Sequence, residues 1–307
     1  IEEDGSFSQY SLNYHRMVLD TFSIAEIWRK RLGRDRFSPV FYNRASGATS
    51  WLYQMVCPLS GHGPNLGAND GSHLLQLTES CYRDLRPSVQ LASNLFEGRL
   101  AYANNGLWDT HLAWMGIVNK ETQPSQYVNC DYDSGGYKVL RVTGVNVIFR
   151  YPKFHYRPSQ ADAMHLDLWV NGTNFLVDAG SYSYNSIPDL SGYFNGTASH
   201  NTVQFDDRDQ MPKLGRFLFG DWLKTKHVSS IATSDSLVSC SASYRDFRGA
   251  EHYRQINLIS CSLSIFDKVK GFKKKAVIRW RLTESEWILE NTKNGVQVSN
   301  GLNTLSV

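Results

Sequence analysis

Hydrophobic residues change their spacing part-way along this chain of 307 residues, and that change limits the folds open to it. Before about residue 125, apolar positions recur every three to four residues. Tyr14, Met17, Val18, Phe22, Ile24, Ile27 and Trp28 form the clearest run. They predict one long amphipathic helix, closed by the basic Arg29-Lys30-Arg31 and by Gly33. A second apolar stretch spans about Pro39 to Val56, and helices are expected from Pro87 to Phe96 and from Leu107 to Val118. Short helices in series suggest helical pairs stacked as a toroid or solenoid, although no sequence repeat marks them.

From about residue 130 the period becomes two. His165, Asp167 and Trp169 alternate with Leu166, Leu168 and Val170, and Asn171-Gly172 supplies a hairpin turn. Val139 to Phe149, Leu237 to Tyr244, Ile256 to Val269 and Ala276 to Leu282 read as further strands, and Asn294-Gly295 as a second hairpin turn. Many strands with few helices predict a large antiparallel β-sandwich. The expected division is therefore residues 1–125, helical, and 126–307, sandwich, the change falling between about Lys120 and Tyr137. Lys268, Lys270, Lys273, Lys274 and Lys275 read as a solvated edge that resists edge-to-edge pairing.

Composition narrows the function. The chain is 41% hydrophobic and 20% charged, enough apolar material for a sizeable core. Its net charge of +3 is too mild to argue for nucleic acid but suits an anionic substrate. No segment reaches the roughly 18 apolar residues of a membrane span. Five scattered cysteines without a CxxC argue against a zinc ribbon or a dense disulfide framework. The chain opens on Ile1-Glu2-Glu3-Asp4, with neither a Met nor a signal peptide, and is expected to be a fragment or a processed form. P-loop, Rossmann, GxSxG and HExxH patterns are all missing from the sequence, which removes most nucleotide and serine-hydrolase chemistry.

Four polar constellations remain. Gln9, Asn13, Tyr14, His15 and Arg16 gather at the expected start of the first helix, where a tyrosine beside cations can be drawn toward use as a base. The alternative is a core tyrosine. The runs Arg157 to Trp169, Leu176 to Asn185 and Tyr193 to Val203 place His165, Asp178 and His200 on or beside neighbouring strands. Two imidazoles and a carboxylate can hold zinc, and equally well can be hydrogen-bonded sheet residues.

The run from Arg157 through Asp178-Ala179-Gly180 to Ser199-His200-Asn201-Thr202-Val203 resembles the C-terminal β-domain of the heparinase II/III-type polysaccharide lyases. Asp4-Gly5-Ser6 to Tyr14-His15-Arg16 is similar to the end of that family's helical catalytic domain, and Asn69-Asp70-Gly71 and Tyr82 to Pro87 fit its pattern. The resemblance implies the last part of an (α/α) toroid joined to an antiparallel sandwich, with the active cleft between them. It implies β-elimination on a uronate glycan: a base removes the C5 proton, the carboxylate is neutralised and an acid protonates the leaving 4-O.

On this resemblance Tyr14 is the catalytic tyrosine, assisted by Arg16, with His15 and Tyr184 completing the catalytic set. Gln9, Asn69, Gln160, Tyr182 and Asn201 are expected to contact the sugar. Asp178 and His200 match residues that hold the family's metal, here expected to be zinc. Gln160 stands where relatives carry a His and is a poor zinc ligand, so His165 is the expected substitute. The implied partner is an acidic polysaccharide, the place of work the bacterial periplasm or cell surface. A uronate C5-epimerase of the same fold and a non-catalytic glycan-binding or assembly protein are the alternatives.

Overall fold

The computed structural model describes the whole chain except residues 119–123, Cys261 and Asn294. Helices come first: α1 (Leu12–Arg31), α2 (Pro39–Met55), α3 (Arg86–Ala92) and α4 (Thr110–Trp114). Ser11 caps α1, its Oγ accepting the Tyr14 amide at 3.1 Å, and three basic residues in the last turn complement the helix dipole. Ser38 and Pro39 open α2 in the same manner. The helix expected from Leu107 to Val118 is reduced to a 3₁₀ turn and α4, because Gly116 takes a left-handed conformation.

The buried face of α1 is largely polar. His15, Arg16, Leu19, Asp20, Ser23, Glu26 and Ile27 are buried, whereas Trp28 is 64% exposed. The apolar run identified in the sequence divides: Tyr14, Met17 and Val18 line a cleft and Trp28 faces outward, whereas Ile27 is buried in an apolar cluster with Ile24 packed against it.

The strands are antiparallel. β1 (Cys130–Tyr132), β2 (Tyr137–Val142), β3 (Val145–Arg150), β4 (Leu166–Val170) and β5 (Thr173–Leu176) form one sheet in chain order. Asn171 and Gly172, both at positive φ, make the tight β4–β5 turn. β6 (Val203–Phe205), β7 (Lys213–Gly215) and β8 (Leu218–Phe219) are short. β9 (Lys224–Val228), β10 (Ala232–Ser234), β11 (Leu237–Arg245), β12 (Glu251–Ile259) and β13 (Ser262–Lys270) form the second large sheet, with β13 at its edge carrying exposed Lys268 and Lys270. β14 (Ala276–Ile278) pairs with β6, and β15 (Ile288–Thr292), β16 (Gly295–Ser299) and β17 (Thr304–Ser306) make a third sheet. The Asn294 of the second expected hairpin lies outside the described residues, but β15 and β16 do pair.

The first sheet is buried on both sides. Leu140, Val147, Phe149 and Leu166 pack toward the second sheet, with Cys240, Ala242 and Ile256. Tyr137, Val139 and Ile148 pack instead with Leu19, Trp51, Leu52 and Met55 of the helices. That layering joins the helices to the sandwich. Arg150 sits at the seam, paired with Asp162 at 2.7 Å and lying over the rings of Tyr10 and Tyr137. The Tyr10 hydroxyl accepts the His155 amide at 2.7 Å across the same seam.

One further helix, α5 (Pro188–Asn195), sits within the sandwich half between β5 and β6. The sequence reading passed over it.

Candidate active site

Tyr14 occupies the first turn of α1, and the loop after β5 brings Tyr184 to it. Their hydroxyls are 2.7 Å apart. Both line a cleft of about 550 Å³ between the helices and the sandwich, together with Gln9, Met17, Val18 and Arg157. The strap over residues 63–71 closes one side. Leu12 donates its amide to the Leu66 carbonyl, and Ser11 Oγ donates to the Ala68 carbonyl. Gly67 (φ +76°) is required there, since a Cβ would lie 2.1 Å from the Tyr10 carbonyl oxygen.

The same strap presents Asp70 to Tyr14. Burial, then the Tyr184 hydroxyl and the Asp70 carboxylate, push the Tyr14 phenol well above its ordinary range. Burial also works to raise Asp70, but hydrogen bonds from Ser72 and Tyr14 outweigh it and hold the carboxylate below the usual range. The expectation of a tyrosine drawn down toward a base is corrected: burial, a second phenol and a carboxylate all act to raise its pKa. Tyr14 is held protonated, which suits a proton donor.

Arg16 and His15, adjacent in sequence, point elsewhere. His15 is fully buried, stacked on Trp51 at 4.5 Å between centroids, with Nε2 2.8 Å from the Ala48 carbonyl. Burial lowers its pKa to about 4. It is a core residue, and its expected catalytic role is corrected. Arg16 bonds the Tyr82 carbonyl and Asn13 Oδ1, both at 2.6 Å, and lies over the Tyr82 ring. It lines a separate cavity with Asn13 and Asn69, not the Tyr14 cleft.

Of the residues expected to touch sugar, Gln9 lines the cleft. Tyr182 is exposed and stacks on Phe194. Asn69 Oδ1 accepts the Tyr82 hydroxyl and the Gly71 amide. Gln160 and Asn201 are buried, so their expected sugar contacts are corrected. Gln160 Oε1 accepts the Gly67 amide at 3.0 Å and Nε2 donates to the Gly180 carbonyl at 3.3 Å, tying the strap to the sandwich. Asn201 Nδ2 donates to the Leu166 and Val177 carbonyls, and its Oδ1 accepts the Arg281 amide. Such side-chain bonds to main chain leave neither amide free for a ligand. Asp70 and Arg157 were the cleft residues the sequence did not single out. Both sat inside motifs already noted, and only the fold turns them toward Tyr14.

Behind the cleft lies a buried polar cluster. Asp178 ends the strand region after β5, and its Oδ2 accepts His200 Nδ1 at 2.8 Å with His165 Nδ1 3.5 Å away. Burial would raise the Asp178 pKa, but attraction to the two imidazoles brings it to about 2. Burial lowers His200, and Asp178 more than reverses this, so its pKa is raised. Ligating atoms of His165, Asp178 and His200 lie within 4.8 Å of one another. His200 Nε2 has no partner, and His165 Nε2 faces the Asp167 carboxylate at 3.7 Å. A His₂Asp donor set with an acid behind one imidazole suits zinc, which would take the place of the bond that His165 Nδ1 accepts from the Asn201 amide at 3.1 Å.

Among the described residues no helix is long and apolar enough to cross a membrane. No curated protein matches the chain significantly in sequence. Solved structures share its fold. A heparan sulfate lyase mutant from Pedobacter heparinus superposes with a TM-score of 0.72 at 18% identity, covering 97% of this chain and 44% of its own. A heparinase III gene product gives 0.71 at 16% identity, over 97% of this chain and 43% of its own. A further heparinase III gives 0.69 at 19%, over 97% and 46%. The chain thus spans less than half the length of these relatives. The family model described as "Heparinase II/III-like, C-terminal" matches residues 130–306, the whole sandwich half. On that match the chain belongs to the heparinase II/III-like C-terminal family.

Proposed function

We propose that this chain forms the tyrosine-bearing side of the cleft in a polysaccharide lyase acting on a uronate-containing acidic glycan, of the glycosaminoglycan type on which the heparan sulfate lyase acts. The hydroxyl pair of Tyr14 and Tyr184, facing the cleft beside Asp70, is the observation that carries this reading.

In this reading the helices are the last part of an (α/α) toroid, and the protein works in the bacterial periplasm or at the cell surface. Arg157, exposed and without an ion-pair partner in the described residues, neutralises the uronate carboxylate, which acidifies the C5 proton. Tyr14 gives its proton to the leaving 4-oxygen as the bond to C4 breaks. Tyr184 orients that hydroxyl and can return a proton to it. The raised pKa of Tyr14 makes it a poor resting base, so a different group takes the C5 proton. Zinc held by His165, Asp178 and His200 would supply positive charge that fixes the strand ends behind the cleft. No proton transfer is routed through it.

The test is ultraviolet absorbance of an unsaturated uronate product during incubation with heparan sulfate and other uronate glycans. Product formation that Tyr14→Phe abolishes supports the reading. Glycan binding without product overturns it, and solvent deuterium at C5 without cleavage would establish an epimerase instead.

A further inference from the structure

The cavity lined by Arg16 is separate from the Tyr14 cleft, and its chemistry is one-sided. It holds about 80 Å³ between the start of α1, the 63–69 strap, the Tyr82-Arg83 turn and the Ala179–Ser181 loop. At ~30 Å³ per water it has room for a group of a few heavy atoms, not for a sugar ring. Two guanidinium groups line it and no carboxylate does.

Its inner wall carries buried donors with nothing to donate to. Asn13 and Arg16 are 7% and 1% exposed. Asn13 Oδ1 accepts from Arg16 Nη2 at 2.6 Å and, at 2.9 Å, shares with Asn69 Oδ1 the one proton of the Tyr82 hydroxyl, but Asn13 Nδ2 has no partner. Arg16 Nη1 donates to the Tyr82 carbonyl, while its Nε has none. Arg16 makes no ion pair with any described residue; the acid that attracts it is Asp20, one turn on along α1, whose carboxyl burial pushes up to about 7 and which does not line the cavity. Arg83, exposed at the mouth, is likewise without an ion pair. A buried unpaired donor costs roughly 1–3 kcal/mol, and more when charged. Two such donors, a buried guanidinium without an ion pair and a second cation at the entrance describe a place built for an anion.

We propose that this cavity is an anion subsite, taking one sulfate ester or carboxylate group of the glycan whose scissile bond lies at Tyr14. The proposal rests on the glycan reading above, but binding can be read without turnover. Asn13 and Tyr14 are neighbours on one helical turn, so a polymer crossing α1 meets both sites. The strap of residues 66–70 stands between them and sets which substituents can reach inward.

The test uses crystals of this chain soaked separately in sodium selenate and sodium glucuronate, with calorimetric titration by sodium sulfate and sodium glucuronate at fixed ionic strength. Selenate is expected to give an anomalous peak among Asn13, Arg16 and Arg83. Arg83→Ala, a surface change remote from Tyr14, is expected to weaken binding about tenfold, the low end for a charged hydrogen bond. Occupancy by selenate alone assigns a sulfate ester, and by glucuronate alone a carboxylate. An empty cavity in both soaks, or a peak with affinity unaltered by Arg83→Ala (an adventitious ion only), overturns the proposal. A filled cavity in a protein that cleaves no uronate glycan removes the lyase reading and not the subsite. Cleavage with an empty cavity removes the subsite alone.

Discussion

The hydroxyls of Tyr14 and Tyr184 meet at 2.7 Å although 170 positions separate them in the chain. One comes from the first turn of α1, the other from the loop after β5, so the contact exists only because the first sheet is packed against the helices. Tyr14→Phe keeps the ring and deletes the proton. Turnover on a uronate glycan is expected to fall at least ~10²-fold, with the thermal unfolding midpoint nearly unchanged.

Tyr184→Phe is expected to act differently. It removes a hydrogen bond that holds Tyr14 protonated, so the Tyr14 pKa should fall. A donor is active only below its pKa, so the alkaline limb of the rate profile should move to lower pH than in the wild type. Phenolate absorbance in an alkaline titration measures the same shift directly. An unmoved limb and an unmoved titration would separate the two hydroxyls functionally.

The change of period was legible from Val139 onward, and so was the Asn171-Gly172 turn, because both rest on local chemistry. The polar burial on α1 was not legible, for an equally physical reason. A cleft-facing helix shows the same apolar stripe as a core-facing one, and nothing local says which face meets the cleft. Helix α5 is only eight residues long, with a Pro at its start and a Gly near its centre, too short for its apolar spacing to register in the sequence. Tyr14, Asp178 and His200 were legible as motif residues. The partners of Gln160 and Asn201 were not, since both bond to main-chain groups far away in sequence, and any residue type could supply those.

Gln160 therefore makes a stability prediction in place of a binding one. Gln160→Ala leaves the Gly67 amide and the Gly180 carbonyl without their partner at a buried seam. The expected loss is roughly 2–4 kcal/mol by denaturant unfolding. Hydrogen exchange at Gly67 should accelerate with it, because the Gly67 amide loses its acceptor while only the Ser181 hydroxyl's bonds still tie the strap to the sandwich. Exchange unchanged at Gly67 would show that α1 and Ser181 hold the strap without Gln160.

The Asp178, His165 and His200 cluster is expected to carry about one zinc ion per chain by elemental analysis. Removal with a chelator should lower the unfolding midpoint, and added zinc should restore it. His200→Ala leaves Asp178 buried beside one imidazole instead of two, at a cost of about 3–5 kcal/mol. Metal-free protein with an unaltered midpoint in chelator would reduce the cluster to a buried ion pair.

Asp20 predicts a loss of stability with rising pH that belongs to the helical half alone. Its carboxylate is fully buried on α1, with neither oxygen in hydrogen-bonding geometry with a partner. Burial raises its pKa from an ordinary 3.8 to about 7, offset only in part by nearby Ser88 and Arg16. The folded state therefore binds a proton that the unfolded state has released between these two values. Stability from this group is complete below about pH 4 and is lost as the pH climbs toward 7, by about 4 kcal/mol at most. Asp20→Asn keeps the shape and removes the titration. The histidines contribute alike to both proteins, so between pH 5 and pH 8 the wild type should lose stability relative to the variant, which should be the more stable protein at pH 8. Denaturant unfolding of both proteins across that range measures the difference. Parallel pH profiles would mean that Asp20 finds a partner or water in solution and ionises without penalty.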